Sequence, residues 1–311
     1  MSHLIFSFNA VFPLLIMMST GVLARRVGWI KDGRAINTCV FHIFLPLMLF
    51  FNIVDTKVDH VLDMKTFLYS IISSTIIFLI LFLIVPRFIK KRESIGVMIQ
   101  GIGRSNYAIF GIPLVINLYP NGEATIAALV AVVLVPIYNI FSTIALMMYG
   151  SKKTSVKKVL IGVLKNPLII STVSAFIFWR VGIKIPTLIA EPLREMGGVA
   201  TTLALFALGA SLDFSSIRTN SKYLTIALIG RLVIVPLLGL GFAIMIGIRD
   251  VSLATLIAVF ASPVAVSSYP MAQQMGGDDA LAGAHVVLST AFSSLTVLVW
   301  IAILSAMGCL T

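Results

Sequence analysis

The sequence predicts an all-helical integral membrane protein of ten transmembrane helices, laid out as two inverted five-helix repeats. Three observations predict it: a composition too apolar for water, ten apolar runs near spanning length, and two motifs that recur at similar offsets. Of 311 residues, 59% are hydrophobic and 11% charged, where soluble chains carry about 25% charged residues. A soluble core of this size cannot hide so much apolar surface, so lipid must solvate much of it.

A spanning helix needs about 20 mainly apolar residues. The runs are Leu4–Ala24, Ile36–Val54, Phe67–Ile89, Ile95–Leu118, Ala124–Tyr149, Val159–Trp179, Met196–Leu212, Tyr223–Ile248, Leu253–Met275 and Ala280–Cys309. The first follows Met1-Ser2-His3, without Lys or Arg, and ends at Arg25-Arg26. It reads as a transmembrane helix and not as a cleavable signal peptide.

The formal net charge is +11. On a soluble chain that would suggest nucleic acid. Here the basic residues lie in short loops between apolar runs, where they set orientation instead. Alternate loops, starting with the first, hold Arg25, Arg26, Lys31, Arg34, Arg87, Lys90, Lys91, Arg92, Lys152, Lys153, Lys157, Lys158, Lys165, Arg218 and Lys222. The others hold Lys57, Lys65, Arg180, Lys184, Arg194 and Arg249. Fifteen against six places the first set in the cytoplasm and both termini outside. Two arginines, Arg104 and Arg231, fall inside apolar runs.

Pro13-Leu14-Leu15-Ile16 with Arg26-Val27-Gly28 recurs as Pro167-Leu168-Ile169-Ile170 with Arg180-Val181-Gly182, an offset of 154. Pro113 with Tyr119-Pro120 recurs as Pro263 with Tyr269-Pro270, an offset of 150. The chain therefore divides into residues 1–150 and 151–311, five runs each. An odd number of spans turns the second copy upside down. Inverted repeats of this kind build many secondary transporters, with the substrate site near the midplane between the copies.

The fourth and ninth runs each carry a proline deep inside, in Phe110-Gly111-Ile112-Pro113 and Phe260-Ala261-Ser262-Pro263. Proline removes a backbone donor and clashes with the carbonyl four residues back. For one isolated run a plain kink explains it. A matched pair points to two interrupted helices, which survive in lipid only where they face protein or a water-filled cavity. The half-helix N-termini expected near Pro113 and Pro263 suit a carboxylate. Gly111, Ile112, Pro113, Ala261, Ser262 and Pro263 are therefore candidate substrate-binding residues.

Charge inside a membrane helix is costly and marks function. Arg231 either attracts an anion, neutralises the half-helix ends, or snorkels to the cytoplasmic surface. Arg104 has the same choices near the cytoplasmic mouth. Asn106 offers an amide to the substrate, to unwound backbone or to a neighbouring helix. Ser262 is placed to ligand substrate or to cap the second half-helix. Asn117, Ser267 and Ser268 are weaker candidates. All twelve Asp and Glu fall in loops or at run ends, with Asp278 and Asp279 expected at the cytoplasmic surface. Histidine is the side chain suited to a switch near neutral pH, but a lone histidine such as His42 or His285 is more often structural. The sequence contains no H-E-x-x-H and no paired catalytic carboxylates, and Cys39 and Cys309 have no metal-ligand spacing. An enzyme, a metal site and a cofactor are therefore not expected.

Asn106 through Gly111-Ile112-Pro113-Leu114 resembles the fourth-helix signature of the auxin efflux carrier family. Leu203-Ala204-Leu205 with Leu208-Gly209-Ala210-Ser211-Leu212 resembles its seventh-helix motif, Asn166-Pro167-Leu168 the start of its sixth helix, and Gly28 through Pro46 its first hairpin. The resemblance covers nearly the whole chain. It implies a ten-helix inverted-repeat fold distantly shared with bile acid/sodium symporters. Helices one, two, six and seven would form a scaffold that often dimerises, and the other six a transport unit whose helices four and nine cross at their breaks. It also implies a small organic anion as substrate, auxin-like or a dicarboxylate such as malonate or malate, and a proton or sodium as possible coupling ion. The long central hydrophilic loop of plant carriers is missing here, which favours a compact bacterial member in the inner membrane. A sodium-coupled symporter of the bile-acid type is the second reading, and a channel or receptor the third.

Overall fold

The computed structural model describes residues 2–56, 63–119, 125–151, 155–212 and 214–310. Lys57, Pro120, Lys152 and Lys153 lie outside the described residues, so the Tyr119-Pro120 half of the second repeat match is not placed. The described residues are helical apart from connections and one isolated β-bridge. In chain order the helices are α1 (Ser2–Arg26), α2 (Arg34–Val54), α3 (Met64–Phe88), α4 (Arg92–Gly103), α5 (Tyr107–Leu118), α6 (Thr125–Tyr149), α7 (Val156–Lys165), α8 (Pro167–Val181), α9 (Thr187–Gly198), α10 (Ala200–Ser211), α11 (Phe214–Thr219), α12 (Ser221–Met245), α13 (Asp250–Ala261), α14 (Ser268–Gln274) and α15 (Asp279–Ala306).

Among the described residues, five helices are long and apolar enough to cross a membrane: α2, α3, α6, α12 and α15. A sixth span exists if α7 and α8, bent by 55°, count as one. The bend sits at Asn166-Pro167. Proline suits the first turn of a helix, and the Asn166 Oδ1 caps α8 by accepting from the Leu168 N–H at 2.8 Å while its Nδ2 donates to Thr143 of α6, also at 2.8 Å. The run expected as one spanning helix over Val159–Trp179 is thus bent into two helices. Gly182 then ends α8 in the left-handed region, at φ 73°, where glycine carries no Cβ penalty.

Three π-turns interrupt the helices, at Val40–Phe44, Tyr107–Gly111 and Gly230–Ile234. A proline follows each by two residues: Pro46, Pro113 and Pro236. The carbonyl that a proline ring would strike, four residues back, lies inside each π-turn. One such carbonyl, at Leu232, is satisfied by the Trp300 Nε1–H at 3.1 Å.

The two ends of the bundle are distinguished by their contacts. At one end Lys91 pairs with Asp278 at 2.7 Å, Arg92 donates to the Gly150 carbonyl, Arg25 reaches the carbonyls of Ala210 and Leu212, and the Ser151 N–H bonds to Gly276. This basic end carries the loops of the first set of cations. At the other end Arg194 pairs with Asp55 at 2.8 Å and Asp63 accepts from Ser252. Asp278 is at the basic end, as expected, but it is buried. Burial alone would raise its carboxyl pKa, yet the Lys91 ammonium, the Ser94 hydroxyl and the Leu281 N–H outweigh that and hold it below the usual range.

Candidate functional site

Two helices stop in mid-protein and restart. α4 ends at Gly103 and α5 begins at Tyr107; α13 ends at Ala261 and α14 begins at Ser268. The two gaps cross. Ser105 and Val264 form an antiparallel bridge, and the Asn106 N–H donates to the Pro263 carbonyl at 2.8 Å. The Val264 N–H is taken up by the Ser289 hydroxyl of α15 at 3.3 Å. Unwound backbone is thus satisfied by the other gap and by a neighbouring helix, as a low-dielectric interior requires. Ser105 and Asn106 are 3% exposed and Ser262 is 0% exposed, so the crossing lies in the interior.

The expected break at Pro113 is not where the first gap lies. The chain unwinds at Arg104-Ser105-Asn106, and Pro113 sits exposed in the first turn of the segment that follows the π-turn. The half-helix N-termini are therefore at Asn106–Tyr107 and Ser267–Ser268, not at the two prolines. The reason is physical: the π-turn absorbs Pro113 without breaking the helix. Pro263 does lie within its gap.

Arg231, fully buried in the π-turn of α12, gathers the crossing. Its Nε donates to the Ser262 carbonyl at 2.9 Å, Nη1 to Ile102 at 3.2 Å, and Nη2 to Val259 and Phe260 at 3.0 Å each. Ile102, Val259 and Phe260 lie in the last turns of α4 and α13 and Ser262 just beyond, where helix dipoles concentrate negative charge. One guanidinium thus ties both first halves together. Arg104 is different. It is also buried, but its Nη1 meets the Met271 sulfur at 2.6 Å and its Nη2 the Ser267 hydroxyl at 2.8 Å. Neither acceptor is charged.

Among the remaining predicted residues, Asn106 has an amide nitrogen that is buried with no hydrogen-bond partner, and so does the Ser268 hydroxyl. The Ser262 hydroxyl turns back to the Ala258 carbonyl at 2.6 Å and caps nothing. Gly111 packs on α13: a Cβ there would lie 2.9 Å from the Ala258 Cβ. Ala261 is the buried last residue of α13. Ile112 stands apart from the crossing and lines a cavity of about 550 Å³ with Asn52, Asp55, Thr56, Ala131 and Val135, toward the Asp55 end. Asn117 and His42 are exposed. His285 is buried on α15 with its Nε2 unpartnered. Ser105, Tyr138 and Ser289 belong to the crossing but were not among the expected residues; the Ser105 hydroxyl meets that of Tyr138 at 3.3 Å. Their signal is polarity inside apolar runs, most clearly the three consecutive polar residues at 104–106.

A sequence signature of the family described as membrane transport protein matches residues 6–301. The chain belongs to this family. It is the auxin efflux carrier family that the fourth- and seventh-run motifs resemble. A relative described as an uncharacterized transporter, from Methanocaldococcus jannaschii, is 22% identical over 305 residues, covering 94% of this chain and 97% of the relative. The protein is therefore a multi-pass membrane transporter, and the crossed gaps lie inside a transporter.

Proposed function

We propose that this transporter carries a small organic anion, a mono- or dicarboxylate, by alternating access at the crossing of α4–α5 with α13–α14. The observation that carries the reading is the antiparallel contact of Ser105 with Val264, which brings two half-helix N-termini to one buried point. Helix N-termini favour negative charge. Arg104 adds a buried cation with only neutral partners, beside the unpartnered Asn106 amide. In this reading Arg104 and Asn106 ligand the anion. Arg231, whose donors are committed to four carbonyls, is a positioning residue.

The same reading makes α4–α5, α7–α8, α9–α10 and α13–α14 one span each, and so ten spans in two inverted repeats over residues 1–150 and 151–311. It is supported by the equal length of α4 and α13, 12 residues each, before their gaps. The basic end faces the cytoplasm, which leaves both termini outside, in a bacterial inner membrane. Helices α1, α2, α7–α8 and α9–α10 form the scaffold and the homodimer contact, and the rest form the moving unit. A proton or sodium is the coupling ion.

The test is counterflow in liposomes with radiolabelled malonate, malate and an aromatic monocarboxylate. Saturable exchange by the native protein, lost in Arg104→Gln and in Asn106→Ala, is the expected result. A folded protein that exchanges none of these anions would overturn the anion reading.

A further inference from the structure

α7 has a composition that the transport mechanism does not use. Its apolar stripe Val156, Leu160 and Leu164, spaced four residues apart, is 76%, 57% and 73% exposed. Lys157 flanks the stripe, and Lys158 and Lys165 stand on the far side of the helix, all three exposed. No carboxylate pairs with these lysines among the described residues, and the sequence has no Asp or Glu between Glu123 and Glu191. Only a narrow side of α7 meets protein: Val159 is buried, and Gly162 lies against the Met147 side chain. α8, with 15 residues, covers roughly 22 Å of a hydrocarbon core about 30 Å thick. α7, turned by 55° from it, continues that span obliquely toward the basic end. A helix with an exposed apolar stripe and lysines suits the boundary between headgroups and acyl chains. Next to it opens a cavity of about 600 Å³ at the basic end, whose lining includes Lys165, Asn166, His42, Ser151 and Gln274 and no carboxylate.

We infer that α7 and this adjoining cavity bind an anionic phospholipid, with acyl chains along Val156, Leu160 and Leu164 and the phosphate at Lys165. Lysines at a lipid surface favour acidic over zwitterionic headgroups, and the apolar stripe selects a lipid over a free anion.

Native mass spectrometry of the full chain in a neutral detergent, with added phosphatidylglycerol or phosphatidylcholine, tests this. In K157Q/K158Q/K165Q the apparent affinity for phosphatidylglycerol should fall about fivefold per lysine at low salt, with phosphatidylcholine unaffected. The charge-matched variant R26Q/K90Q/K222Q, altered at exposed positions of the same end, should change it by no more than about twofold. Equal loss in both variants, or none in the α7 variant, would overturn the proposal. If the α7 variant does not fold, hydrogen exchange of the native protein in nanodiscs decides. Amides of residues 156–165 should exchange more slowly in phosphatidylglycerol than in phosphatidylcholine, and equal exchange would refute the site.

Discussion

Arg104 and Arg231 are both buried guanidiniums, and their partners differ enough that substitution should separate structure from transport. Arg231→Met leaves several buried carbonyls of α4 and α13 without a donor. Each unsatisfied buried group costs about 1–3 kcal/mol, so the variant should lose at least about 3 kcal/mol in detergent unfolding. Arg231→Lys keeps the charge but offers one point donor group in place of a planar fork, and should fall between. Arg104→Gln gives up only a hydroxyl and a thioether contact, so its unfolding should stay within about 1 kcal/mol of native while exchange is lost. Equal destabilisation by the two variants would remove the distinction. That Arg231 and Arg104 sit inside apolar runs, where charge is expensive, was legible in the sequence. Their partners were not, since backbone carbonyls and a methionine sulfur leave no trace in residue type.

At the scale of elements, α1 and α10 pack backbone against backbone. A Cβ on Gly209 would lie 1.9 Å from the Met18 carbonyl oxygen, and one on Gly21 would lie 2.0 Å from that of Phe206. The two backbones touch with nothing between them, the arrangement small residues permit in membrane helix pairs. Gly209→Val must push the pair apart and should cost about 1–3 kcal/mol or more, read as a lower unfolding temperature in detergent. Gly198→Ala, which meets nothing within 4 Å, should stay within about 0.5 kcal/mol. Similar effects from both would mean that the contact is not tight. Most helices were legible as apolar runs, α6 to within one residue and α3 to within three. The first gap was misplaced because proline was read as the breaker. A proline inside an apolar run need not break the helix, and three times here a π-turn accommodates it. The polar triplet at 104–106 was the better signal, because unwound backbone needs polar company. The bend between α7 and α8 was missed for a related reason: the apolar residues of the two helices match one span, and only the lysines and Asn166-Pro167 mark the break.

For the whole molecule, the contacts across the proposed boundary between scaffold and moving unit differ at the two ends. At the basic end α2 and α14 are clasped: the Asn37 Nδ2 donates to the Gln273 Oε1 at 2.7 Å, and the Gln274 Nε2 donates to the Thr38 hydroxyl at 2.9 Å. At the Asp55 end the cavity of about 550 Å³ opens between α2, α5 and α6. Neutral hydrogen bonds of this kind contribute about 1 kcal/mol each, enough to hold one arrangement and weak enough to be exchanged for another. If transport alternates access, the clasp must part in every cycle. A double variant, Thr38→Cys with Gln274→Cys in a Cys39→Ser background, bridged by a short thiol-cleavable cross-linker, should therefore lose counterflow. Cleaving the linker should restore it, which separates arrest from damage. Undiminished exchange in the fully cross-linked protein would show that α2 and α14 travel together, and would move the boundary between the fixed and moving parts away from this clasp.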